Sequence, residues 1–102
     1  MAIDLSMSSI IARLSATVTG RVQGVSFRYY TQAYAEQLGL TGWVKNLPDG
    51  SVAVWAVGSR ADLEKLHRWL LHGPPAAHVQ NVQVEWGNAA SDHTASGFEV
   101  RY

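Results

Sequence analysis

The chain has 102 residues, 47% of them hydrophobic, with eight basic and eight acidic side chains and no cysteine. That length suits one domain around one core, and the apolar share is too high for a disordered chain. Zero net charge speaks against a nucleic-acid platform, and the lack of cysteine excludes disulfides, thiolate nucleophiles and thiolate metal sites.

No apolar run approaches the ~18 residues needed to span a membrane. Ile3, Leu5, Met7, Ile10 and Ile11 make the N-terminus apolar, but Asp4 stands where a secretory signal would carry Lys or Arg. Residues 1–12 are therefore expected to form a disordered tail and residues 13–102 the domain. The cytoplasm is the default compartment and a monomer the default state.

From Arg13 to Thr19, apolar Leu14, Ala16 and Val18 alternate with polar residues, the period of a half-buried strand. From Ser26 to Leu38 the period lengthens. Phe27, Tyr30, Thr31, Tyr34, Ala35 and Leu38 share one helical face, and Gly39 stands where helices end. Gly42 to Asn46 and Ser51 to Val57 predict a hairpin turning at Leu47-Pro48-Asp49-Gly50. Ser59 caps a second helix whose buried face is Leu63, Leu66 and Leu70, and Gly73-Pro74-Pro75 ends it. Val82, Val84 and Trp86 alternate in a fourth strand over 81–86. Gly87 to Gly97 is polar and predicts a loop, and Phe98, Val100 and Tyr102 alternate in a short final strand. The order predicts an α+β, ferredoxin-like split βαβ sandwich (βαββαβ), with both helices on one face of a largely antiparallel sheet.

Between the first strand and the first helix runs Gly20-Arg21-Val22-Gln23-Gly24-Val25-Ser26. Loop and helix-start N–H groups have no internal partner, so this junction is suited to an anion. Gly20 and Gly24 let the backbone turn and approach a ligand closely. Arg28 adds a fixed charge and a planar donor fork in the first turn, where a cation is otherwise slightly unfavourable. Neither the Walker A pattern nor the dinucleotide fingerprint is present, which leaves a small phosphoryl group or a carboxylate as the ligand.

The run Val18 to Arg28 matches Val-x-Gly-x-Val-Gln-Gly-Val-x-Phe-Arg at every fixed position. Gly42-Trp43-Val44-Lys45-Asn46, Gly50-Ser51-Val52 and Gly58 follow in order. In these two motifs the chain resembles the acylphosphatase family, from about Ser15 to Tyr102. The resemblance implies the ferredoxin-like fold, a small acyl phosphate as substrate and no cofactor. It also implies a phosphate held by Arg21, Val22, Gln23, Gly24, Val25 and Arg28, with Arg28 and Asn46 as catalytic residues and Asn46 positioning the attacking water. Some family members carry a threonine after that asparagine, whereas Leu47 stands here.

Blander roles compete at several positions. Asn46 also suits a turn after a strand. Gln23 either donates to phosphate or braces the loop, and Thr31 is read as packing before any orienting contact with Arg28. His67 and His72 do not share a helical face, while His78 and His93 fall in predicted loops, so no metal site is expected. Tyr29, Tyr30, Tyr34, Trp43, Trp55, Trp69 and Trp86 are expected in the core or on the sheet faces.

Neither motif contains Cys, His or a carboxylate, so no covalent nucleophile and no strong general acid is offered. A carboxylate leaving group needs neither, since its conjugate acid has a pKa of about 4. The expected reaction is direct in-line attack of water on an acyl phosphate, giving a carboxylate and inorganic phosphate. One alternative is a non-catalytic module that binds phosphate or carbamoyl phosphate. A small RNA-binding domain of the same fold is another, disfavoured by the zero net charge.

Overall fold

The computed structural model describes residues 11–89 and 97–102. Five strands and two helices follow one another as β1 (Ala12–Arg21), α1 (Phe27–Gln37), β2 (Thr41–Asn46), β3 (Val52–Gly58), α2 (Arg60–Leu70), β4 (His78–Asn88) and β5 (Phe98–Arg101). The sheet order is β4-β1-β3-β2-β5. β1 runs antiparallel to β3 and β4, and β2 runs antiparallel to β3. Hence β1 is parallel to β2 and β3 to β4, each pair split by a third strand and joined across it by a helix. This is the predicted split βαβ arrangement. β5 is the exception to the antiparallel rule, pairing parallel to β2.

Alternation along β1 sends Ala12, Leu14, Ala16 and Val18 into the core and leaves Arg13, Ser15, Thr17 and Thr19 on the opposite face. Phe27, Thr31 and Ala35 of α1 and Leu63, Leu66 and Leu70 of α2 cover the inner face and are buried with these strand residues. The helices meet through Trp69, whose ring centroid lies 5.7 Å from those of both Phe27 and Tyr34. Ser59 caps α2, its hydroxyl accepting from the Asp62 N–H at 3.2 Å. α1 ends in a Schellman turn, Leu40 N–H to Ala35 O and Gly39 N–H to Glu36 O.

Several boundaries differ from the sequence expectation. Ala12, assigned to the tail, is the first residue of β1 and is buried; residues 1–10 lie outside the described residues. β4 begins at His78 and runs through Gly87 and Asn88, so His78 is not in a loop and the predicted loop begins later. The reason is the length of β1: Arg21 pairs with His78 and Ala12 with Asn88, so β4 extends wherever β1 offers a partner. Residues 90–96 of that loop, His93 included, lie outside the described residues. Tyr29 and Tyr30 are 65% and 46% exposed, against the expectation of a core or sheet position. The buried stripe of α1 is narrower at its start than the apolar periodicity suggests. Among the described residues, no helix is long and apolar enough to cross a membrane.

Leu66 is fully buried at the centre of this packing. Leu66→Ala is expected to lower the unfolding free energy by about 2–5 kcal/mol, the usual range for such a cavity. Urea titration measures it, and a loss well below 1 kcal/mol would place Leu66 outside the load of the core.

Candidate active site

β1 ends at Arg21, and the chain turns through Val22 to Ser26 into α1. The bend is made in the left-handed region at two positions, Gly24 (φ +75°) and Ser26 (φ 61°). Space beside Gly24 is open, so its glycine character answers to conformation rather than crowding. Gly20 has a different role from the one expected. A Cβ there would collide with the His78 carbonyl oxygen, at the point where the β1–β4 register shifts. Gly20 therefore admits the bulge in the sheet, not a ligand.

Ser26 is the N-cap of α1, yet its side chain makes no cap bond. The first helical bond runs from the Tyr30 N–H to the Ser26 carbonyl at 3.1 Å. Among the described residues, no acceptor takes up the N–H groups of Gly24, Val25, Ser26, Phe27, Arg28 or Tyr29. The positive end of α1 is thus left with its donors free, beside a loop whose donors are also free.

Arg28 leans from the first turn of α1 onto the end of β5. Its Nη1 donates to the Arg101 carbonyl at 2.9 Å, and its guanidinium lies 4.6 Å from the centroid of the Tyr102 ring. One donor of five is committed, so the fork is fixed in direction with most of its donors available. Asn46 closes β2. It shares the helix-covered face with Val44, and the parallel register that sets Lys45 beside Arg101 brings Tyr102 up next to it. The Asn46 Oδ1 is buried and has no hydrogen-bond partner among the described residues. Such an atom is uncommon and calls for a functional or structural reason.

Arg28 and Asn46 line one cavity of about 600 Å³, with Val22, Gly24, Ser26 and Phe27 around the loop and Tyr29, Gln32, Val100 and Tyr102 beyond them. Arg21, Gln23 and Val25 do not line it. Arg21 is exposed at the end of β1, and Val25 faces a neighbouring hollow with Pro74 and Pro75. Gln23 turns its side chain the other way, and its Nε2 donates to the carbonyls of both Leu47 and Ser51 at 2.8 Å. It ties the loop to the turn that follows Asn46. Thr31 is buried, its hydroxyl donating to the Phe27 carbonyl at 2.8 Å rather than bonding Arg28. Sequence reasoning missed Tyr29, Gln32, Val100 and Tyr102. Gln32 was within reach, four residues after Arg28 on the same helical face. Val100 and Tyr102 depend on which strand receives β5, and no local signal carries that.

The turn braced by Gln23 has its own anchor. Asp49 Oδ1 accepts from the Ser51 N–H at 2.9 Å and from the Ser51 hydroxyl at 2.5 Å. These two bonds, the hydroxyl one first, hold the Asp49 carboxyl below its ordinary value of 3.8. Among the described residues, no group of three or more His, Asp or Glu side chains gathers to hold a metal ion.

A helix-covered sheet whose first helix starts at free N–H groups, beside one arginine fork and one amide in a shared cavity, has the donors that suit a small anion. Comparison with known proteins narrows the class. The acylphosphatase family model matches residues 14–100. An acylphosphatase of Trichormus variabilis is 52% identical over 93 residues, 91% of this chain and 89% of the relative. Among solved structures, an acylphosphatase from Bacillus subtilis superposes with a TM-score of 0.82 at 34% identity, covering 89% of this chain and 99% of that one. One from Coxiella burnetii gives 0.78 at 43% identity, covering 90% and 94%. The chain belongs to the acylphosphatase family, and its activity is hydrolysis of acyl phosphates.

Because Asp49 is more acidic in the folded chain than in the unfolded one, its turn adds stability at neutral pH. That contribution fades as pH falls through the unfolded and then the folded value. Asp49→Asn should therefore be less stable than the wild type at pH 7, with the gap closing as pH falls below the ordinary carboxylate range. Urea midpoints across that range test it, and a gap independent of pH would remove Asp49 ionisation as its source.

Proposed function

We propose that the free N–H groups from Gly24 at the end of the loop into the first turn of α1, with the Arg28 guanidinium, hold the phosphoryl oxygens of an acyl phosphate while Asn46 positions the attacking water. The observation that carries this reading is that Asn46, whose Oδ1 is buried and unpartnered, lines the same cavity as Arg28. An amide oxygen accepts a water O–H without ionising, and one fixed beside the phosphate site aims the water's lone pair at phosphorus.

The water oxygen forms a bond to phosphorus as the bond from phosphorus to the acyl oxygen breaks. The electron pair of the broken bond leaves on the carboxylate, and the water proton passes to a phosphate oxygen. Charge spreads over the equatorial oxygens at the transition state, where loop donors and the guanidinium stabilise it. Arg28 needs little reorganisation to do so, since the Arg101 carbonyl and the Tyr102 ring already hold it. Gln23 acts through the backbone: it couples the phosphate loop to the turn beyond Asn46 and so keeps the phosphate and water sites in register. The reading carries with it a cytoplasmic monomer. Acyl phosphates are charged and labile, and Arg28 and Asn46 line one cavity within a single chain.

Arg28→Ala is expected to abolish both phosphate binding and turnover with the far-ultraviolet circular dichroism unchanged. Asn46→Ala should lower kcat by about 10²–10³-fold, the loss typical of one oriented transition-state contact, while phosphate inhibits it nearly as well as the wild type. Benzoyl phosphate hydrolysis in EDTA, with inorganic phosphate as inhibitor, reads both. Equal loss of phosphate affinity in the two variants would take the water-positioning role from Asn46. Phosphate binding by a folded wild type that turns over no acyl phosphate would make the protein a binding module.

A further inference from the structure

Asp49 stands on the exposed turn between β2 and β3, outside the cavity, and has no part in the chemistry above. It ends a chain of hydrogen bonds that leads back to the last residue of β2. Its Oδ1 accepts from the N–H of Ser51 at 2.9 Å and from the Ser51 hydroxyl at 2.5 Å. Ser51 is buried, and its carbonyl accepts from the Leu47 N–H and from Gln23 Nε2, each at 2.8 Å. Every polar group of Ser51 is thereby spent on the turn and its brace. Leu47 follows Asn46 directly and has no polar side-chain atom, so hydrogen bonds hold it only through its backbone. The β2–β3 ladder adds nothing beyond this point, since Asn46 opposite Val52 is its last rung.

Asn46 is the residue that needs such holding. Its Oδ1 has no hydrogen-bond partner among the described residues, so no bond at that oxygen fixes its direction. The amide is aimed by the backbone that carries it, and that backbone runs straight from β2 into the turn. Removing the Asp49 acceptor would leave the Ser51 N–H and hydroxyl to find new partners, and the Ser51 carbonyl would shift with Leu47 attached to it. Gln23 is a flexible side chain that can follow its two carbonyls, so the disturbance reaches Asn46 before it reaches the free donors of α1.

We propose that Asp49 is a positioning residue for Asn46: by holding both Ser51 donors it fixes the turn that aims the Asn46 amide, and so it supports kcat without touching substrate. The inference rests on the reading that Asn46 positions the attacking water.

The test is a double-mutant cycle on benzoyl phosphate hydrolysis at neutral pH, with Asp49→Ala made in the wild type and in Asn46→Ala, and Asp49→Asn beside them. Asp49→Ala should lower the kcat of the wild type about three- to tenfold, below the roughly 10²-fold that a misplacement of about 1 Å can cost, with inhibition by phosphate unchanged. In Asn46→Ala it should lower kcat no further, because the amide it aims is gone. Asp49→Asn should keep kcat near that of the wild type, since an amide oxygen still accepts from both Ser51 donors. A purely structural role would give the same loss in both backgrounds, and that result overturns the proposal. So does an unchanged kcat in Asp49→Ala, or a loss of phosphate affinity as large as the loss of kcat. Ser51→Ala, which removes only the hydroxyl bond, takes the place of Asp49→Ala in the cycle if that variant does not fold. If Asn46→Ala is itself as active as the wild type, the water-positioning reading fails on its own account. The link is then decided by the Asn46 side-chain amide signals in a nitrogen–proton correlation spectrum. Asp49→Ala should shift them and Asp49→Asn should not, and signals that Asp49→Ala leaves in place overturn it.

Discussion

The parallel pairing of β5 with β2 is the constraint on which the site depends. Gly42 faces Phe98, Val44 faces Val100 and Lys45 faces Arg101, so the last residues of the chain arrive beside the end of β2 on the helix-covered face. That arrival places an acceptor, the Arg101 carbonyl, and an aromatic face, Tyr102, under the first turn of α1. Without β5 the Arg28 side chain would be a long rotamer-rich cation on an exposed helix start, disfavoured by the helix dipole and free to sample many directions. With it, the guanidinium is set in one direction before a ligand arrives, which lowers the ordering cost that binding would otherwise carry. β5 also supplies Val100 and Tyr102 to the cavity wall. A strand of four residues thus contributes more to the site than its length suggests.

A second connection runs on the other side of the loop. Gln23 reaches the two carbonyls that flank the β2–β3 turn, Leu47 and Ser51, and Asp49 fixes Ser51 in turn. The loop before α1 and the turn after Asn46 are therefore one hydrogen-bonded unit although 24 residues separate Gln23 from Leu47. Leu47 takes part through its backbone. Its N–H donates to the Ser51 carbonyl at 2.8 Å and its carbonyl accepts from Gln23.

Much of the fold was legible because its signals are local. The change of period at Ser26 located α1, the Leu63, Leu66 and Leu70 spacing located the buried face of α2, and the turn chemistry of Leu47 to Gly50 located the hairpin. Both candidate catalytic residues, Arg28 and Asn46, line one cavity. What was not legible is non-local. The extra residues of β4 reflect the length of β1 opposite them, and the polar Gly87 and Asn88 gave no strand signal of their own. Gly20 matched a ligand-approach role in the motif, but the structure shows it set against β4. Tyr29 and Tyr30 are exposed because the buried stripe of α1 is only Phe27, Thr31 and Ala35, narrower than the apolar period suggests.

Two features of the site cost stability and are retained. Ser26 holds a left-handed conformation that residues with a Cβ seldom adopt, and Asn46 buries an oxygen without a partner. Each is unfavourable by an amount on the order of 1–3 kcal/mol, and neither improves packing. Their shared location is informative. The Ser26 bend leads into α1 where the N–H groups of the loop and helix start are free, and Asn46 lines the same cavity. A sheet of five strands and a core closed by Phe27, Leu63, Leu66 and Trp69 is rigid enough to hold both against relaxation. The stability lost at these two positions is therefore carried where α1 begins and β2 ends, around the cavity that Ser26 and Asn46 both line.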